Sequence, residues 1–178
     1  MPRRPSKPRR IAAGATRRAG HALKRRAPSP AAARRERLVG AWTLAAVAGE
    51  RADGSRFAPF GPAPRGIIVF AADGHFALFQ STGAVPRIAG NDRAKATAAE
   101  ALAIVGAAIA YYGTWSLDAA GTTLSVTLDG STFANLLGGP AQTRHVTKLD
   151  ASELRFTNPK TPQGVTLKTV WTRGVPAR

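Results

Sequence analysis

The run TTLSVTL, residues 122–128, alternates polar and aliphatic side chains, with Leu124, Val126 and Leu128 on one side and Thr123, Ser125 and Thr127 on the other. Period-two alternation is the pattern of a β-strand with one dry and one wet face, and it does not fit a helix. Comparable runs recur along the chain. Leu38–Ala48 reads as a first strand with Trp42 and Leu44 on one face. GIIVFAADGHFALFQ, residues 66–80, reads as a hairpin, with β-rich runs at Ile67–Ala71 and His75–Ser81. Asp73-Gly74 between them supplies the positive φ of a tight turn. Phe76 and Leu78 then share one face, and Ala77 and Phe79 the other. YYGTWSL puts Tyr111, Gly113, Trp115 and Leu117 together, and QTRHVTKL, ELRFT and VTLKTVWTR complete the set.

The interruptions are equally legible. FAPFGPAPRG, residues 57–66, carries three prolines and reads as a long loop with aromatic anchors. Residues 82–96 are irregular. TAAEALAIVGAAIA, residues 97–110, begins with a capping box, Thr97 and Glu100, and sets Leu102, Val105 and Ile109 at near-helical spacing with Ile104 beside them. Its lack of charge after Glu100 predicts a largely covered helix. DGSTFANLLGG, residues 129–139, is a broken stretch. About eight strands joined by short turns, plus one helix, predict an all-β antiparallel up-and-down barrel, because closure removes the exposed strand edges.

The chain has no cysteine, which excludes disulfides, Cys-zinc sites and thiol nucleophiles. No apolar run reaches the roughly 18 residues of a membrane-spanning helix. Charge is concentrated at the start: residues 1–37 hold 13 Lys/Arg and one acid, a net of +12 out of the +16 of the whole chain. Residues 1–36 therefore read as a disordered basic extension, with Pro28 and Pro30 as linker, 37–174 as the barrel domain and 175–178 as a short C-terminal tail. The extension offers non-specific contact with nucleic acid or anionic lipid, or a targeting role, and the domain itself carries no nucleic-acid signature. No apolar signal segment follows the arginine pairs, so a cytoplasmic location is expected.

Two short motifs support a family comparison. LVGAW in the first strand resembles the G-x-W signature of lipocalins, and WTR in the last strand supplies an arginine of the kind that packs across that tryptophan. A longer series is similar to the bacterial lipocalin-like domain family in order and spacing over about residues 36–173: LVGAW, FGPAPRGIIVF, DGHFALFQ, PRIAGNDRAKATAAE, AYYGTWSLD and DGSTFANLLGG. The chain departs from it at Ala134-Asn135-Leu136, where the family usually has Pro-Asn-Trp, and at GGPAQTR, which lacks the usual acid. The resemblance implies a lipocalin-type barrel in which Trp42 and Arg173 close one end. It carries no agreed catalytic set.

The leading expectation is binding of a small, largely apolar molecule inside the barrel, with no cofactor and no metal site. Phe57 and Phe60 are expected in a lid, and Tyr111, Trp115, Phe133 and His145 in the wall. Arg87 and Asn135 are expected at a polar rim. Two other readings stand beside it. One is a small-molecule isomerase or cyclase in the same cavity, with His145 or Tyr111 as its polar group; the other is an interaction module acting through the basic extension.

Overall fold

The computed structural model describes residues 29–161 and 163–173. Nine antiparallel strands follow in chain order: β1 (Gly40–Glu50), β2 (Arg56–Phe57), β3 (Arg65–Phe70), β4 (His75–Ser81), β5 (Ala108–Leu117), β6 (Thr123–Ser131), β7 (Gln142–Leu149), β8 (Glu153–Thr157) and β9 (Thr166–Arg173). From β3 to β9 each strand pairs with the next, and β1 pairs with both β3 and β9, so eight strands close into a barrel. The two-residue β2 is an annex, bonded to the far end of β1 through Gly49↔Phe57 and Glu50↔Arg56. Two helices complete the domain, α1 (Pro30–Leu38) and α2 (Ala98–Ala107).

Period-two alternation sets what fills the barrel. Trp42, Leu44 and Val47 of β1 point inward, with Ile68 and Phe70 of β3, Phe76 and Leu78 of β4, Trp115 of β5, Leu124 and Val126 of β6, and Leu154, Phe156 and Trp171 opposite them. The expected outer residue Phe79 is indeed exposed. Closure needs local adjustment. At the bulge between Tyr112 and Gly113, β6 comes so close that a Cβ on Gly113 would collide with the Thr127 carbonyl. Gly40, at φ 120°, starts β1 where the Arg173 guanidinium fills the space a side chain would need.

The domain begins earlier than the expected boundary at residue 37. Residues 30–36, expected in the disordered extension, and Leu38, expected to start the first strand, belong to a helix, Pro30–Leu38, capped by Ser29, whose side chain accepts from the Ala32 N–H at 3.2 Å. Pro30 takes the first helical position, where a missing N–H costs nothing, and is not linker. Residues 1–28 and 174–178 lie outside the described residues, and so do the expectations placed on them.

The capping box of α2 is present in both directions. The expected covering is not: Leu102 and Val105 are 73% and 68% exposed, and Ile109 belongs to β5 rather than to the helix. The uncharged face of α2 is open because the helix meets the barrel mainly through Ala107.

Candidate functional site

The two ends of the barrel are built differently. At the closed end α1 lies over the turns. Arg34 donates to the carbonyls of Ala120 and Gly121, and Arg35 donates to that of Ala72 at 3.1 Å while its guanidinium stacks 4.4 Å from the Trp115 ring. The last carbonyls of a helix have no partner within it. Here the Trp42 indole N–H takes that of Leu38 at 2.9 Å, and Arg173 takes those of Arg37 and Val39. Arg173 also stacks 4.3 Å from the Trp42 ring. One pair of residues from the first and last strands thus ends the helix and seals the barrel.

At the open end the β1–β3 connection folds over the mouth. Phe57 lies across Gly49, where a Cβ would strike its ring, and carries the Arg51 guanidinium 4.2 Å from its ring centre. Phe60 packs half-buried against the core.

Between the ends is a small apolar cavity of about 10 Å³, the space of about one water. Ile68, Phe76, Leu78, Tyr111, Leu124, Val126 and Phe156 line it, and so does Arg144. Tyr111 meets Phe76 edge to face at 6.1 Å. A larger cleft of about 400 Å³ opens on the β4–β5–β6 side, bounded by Ala77, Ala110, Tyr112, Gly130 and Thr132. Leu78 and Tyr111 border both spaces.

Arg144 is the exception in this wall. It is 7% exposed. Its hydrogen bonds run to the Thr143 carbonyl and to Gln142 Oε1, both at 2.8 Å and both neutral acceptors. Every Asp and Glu of the chain lies among the described residues, and none of the ten is buried: they stand in turns, on α1 and the cap of α2, and on exposed or end positions of β1, β6 and β8. Glu50 is paired with Lys168, and Glu153 with Lys148 and Arg155.

The sequence matches the lipocalin-like domain family over residues 39–174. The chain belongs to that family. Among curated proteins, none matches this lipocalin-like chain. Solved structures similar to it include bovine odorant binding protein in complex with a selenium-containing odorant, at 14% identity, 80% of this chain, 74% of that chain and a TM-score of 0.41. A deswapped triple mutant of bovine odorant binding protein is similar at 13% identity, 80% of this chain, 77% of that chain and a TM-score of 0.38.

Of the residues expected to form a site in this lipocalin-like barrel, Tyr111 faces the cavity, and Phe57 and Phe60 sit at the mouth. The others lie elsewhere. Trp115 faces inward but at the closed end, against Phe70 and beneath Arg35, with its N–H donated to the Ala71 carbonyl; it does not border the cavity. His145 is on the outer face, because Arg144 and Val146 on either side of it take the inward positions. Phe133 and Arg87 are exposed in loop segments, and Asn135 is exposed in a single 3-10 turn, Ala134–Leu136. Neither His145 nor the exposed His75 is available as an interior base. Among the described residues no group of three or more His, Asp or Glu is placed to hold a metal, and no helix is long and apolar enough to cross a membrane.

The residue missed by sequence reading is Arg144. Its signal was present: Val146 is plainly an inward residue, and Arg144 stands two positions before it on the same face. His145 is expected in the wall, but the inward place on this part of β7 belongs to Arg144.

Proposed function

We propose that this barrel binds a small, largely apolar molecule in its interior, entering beside Tyr111 and Leu78. What supports the reading is that the inward side chains of six strands converge on a residual cavity, and that the two residues walling it also border the open cleft. Binding a molecule larger than one water requires Tyr111 and Leu78 to turn aside. Tyr111 is suited to that, being only half-buried.

The test is a titration of the full chain with N-phenyl-1-naphthylamine, an uncharged dye that brightens in apolar surroundings. One saturable site per chain is expected. Leu78→Trp, which fills the cavity, is expected to weaken binding at least tenfold, whereas Leu102→Ser/Val105→Ser on the exposed face of α2 leaves it unchanged. Dye binding that follows the α2 variant and ignores Leu78→Trp overturns the proposal.

A further inference from the structure

We infer that the molecule held in the barrel is an anion: a carboxylate, or a group of like shape and charge, on an apolar body, with its charged end against Arg144. The inference rests on the interior-binding reading above and specifies the class of ligand.

An arginine stays charged at every pH a protein meets, so burial does not neutralise it. A buried charge is found paired with an opposite charge or bound to a metal, because leaving water without such a partner is costly. Arg144 breaks that rule within its own chain. It is 7% exposed, it lines an otherwise apolar cavity, and none of the ten carboxylate side chains faces it. The Thr143 carbonyl and the Gln142 amide oxygen satisfy two of its donors. A guanidinium has five N–H donors in a planar fork, which leaves donors free for an incoming group. That fork matches the two oxygens of a carboxylate, and the bonds it makes are charge-assisted.

The surroundings define the remainder of the ligand. Apart from the hydroxyl of Tyr111, the side chains that line the cavity with Arg144 are hydrocarbon, so the body attached to the anion must be largely apolar. Gln142 fixes the guanidinium from the mouth side, since it starts β7 and its side chain accepts from Arg144 Nη2. The charge is thereby held in place before a ligand arrives. A cationic ligand is repelled, and a neutral one of the same shape leaves the arginine unpaired.

The experiment is a calorimetric titration of the full chain with octanoate, 1-octanol and octylammonium at fixed salt. It is repeated on Arg144→Met, which keeps the volume and removes the charge, and on Arg144→Lys, which keeps the charge and loses the fork. Octanoate is expected to bind at least tenfold more tightly than 1-octanol, and octylammonium more weakly than both. The octanoate preference should vanish in Arg144→Met and shrink in Arg144→Lys, with melting curves confirming that each variant is folded. Equal affinities for octanoate and 1-octanol in the unaltered protein overturn the inference while leaving the apolar-ligand reading intact. A preference that survives in Arg144→Met also overturns it and assigns the attraction to cationic residues elsewhere in the chain. Failure of all three probes to bind the unaltered protein counts against the interior-binding reading itself, and the inference falls with it.

Discussion

The guanidinium of Arg35 lies 4.4 Å from the ring of Trp115, joining a residue of the basic N-terminal stretch to an inward aromatic of β5. The same arginine bonds the Ala72 carbonyl in the β3–β4 turn, and Trp115 bonds the adjacent Ala71 carbonyl. One side chain of α1 thus ties β5 to the β3–β4 turn. Arg35→Ala should cost about 1–2 kcal/mol, combining a cation–π contact and one hydrogen bond. Denaturant unfolding followed by tryptophan emission checks this; a midpoint within error of the unaltered protein removes the helix from the stability of the barrel.

Trp42 is fully buried and supplies both a ring for Arg173 and an N–H for Leu38. Trp42→Ala should destabilise by about 3–5 kcal/mol. A cycle of Trp42→Phe with Arg173→Met should show a coupling of about 0.5–2 kcal/mol, the part that belongs to the stacked pair. Additive effects would mean that the two residues act separately.

Gly113 is predicted to be intolerant of even one added methyl group, because the Thr127 carbonyl occupies the space. Gly113→Ala should cost about 1–3 kcal/mol by overpacking. At Gly106 on α2, where a Cβ meets open space, the same change should stabilise by up to about 1 kcal/mol. Paired melting curves of the two variants test the contrast. Equal shifts in one direction would refute it.

Acid should weaken the fold through its turn carboxylates. Backbone N–H groups of Ser152 and Glu153 hold Asp150 well below the usual carboxylate range, those of Thr123 and Thr122 lower Asp118, and those of Ala89 and Thr97 lower Glu100. A group whose value is depressed by folding stabilises the protein above its unfolded value and loses that contribution as pH falls through the folded one. The melting temperature is therefore expected to be level above about pH 5 and to decline below about pH 4. Asp150→Asn should start lower and fall less steeply. A flat profile down to pH 2 would show that these turns contribute nothing.

The barrel was legible because its strands alternate one residue at a time and its tightest turn, Asp73-Gly74, announces itself. The start of α2 was legible for a similar reason, since Thr97 and Glu100 satisfy each other locally. Where the reading failed, the deciding contacts are distant in sequence. Helix α1 is short and flanked by arginines, and it stands because Arg173 and Trp42 cap it and because Arg34 and Arg35 reach turns more than thirty residues away. The lack of charge on α2 predicts a covered face, but apolar residues are common on surfaces, and Leu102 and Val105 are exposed. His145 is expected in the wall, but parity with Val146 gives that face to Arg144, a cation kept inside.

The described chain starts with α1 and ends at Arg173, and both belong to the closed end of the barrel. Helix α1 and Arg173 thus both lie on the side away from the mouth. A surface that gripped the protein by α1 would leave the mouth facing the solution.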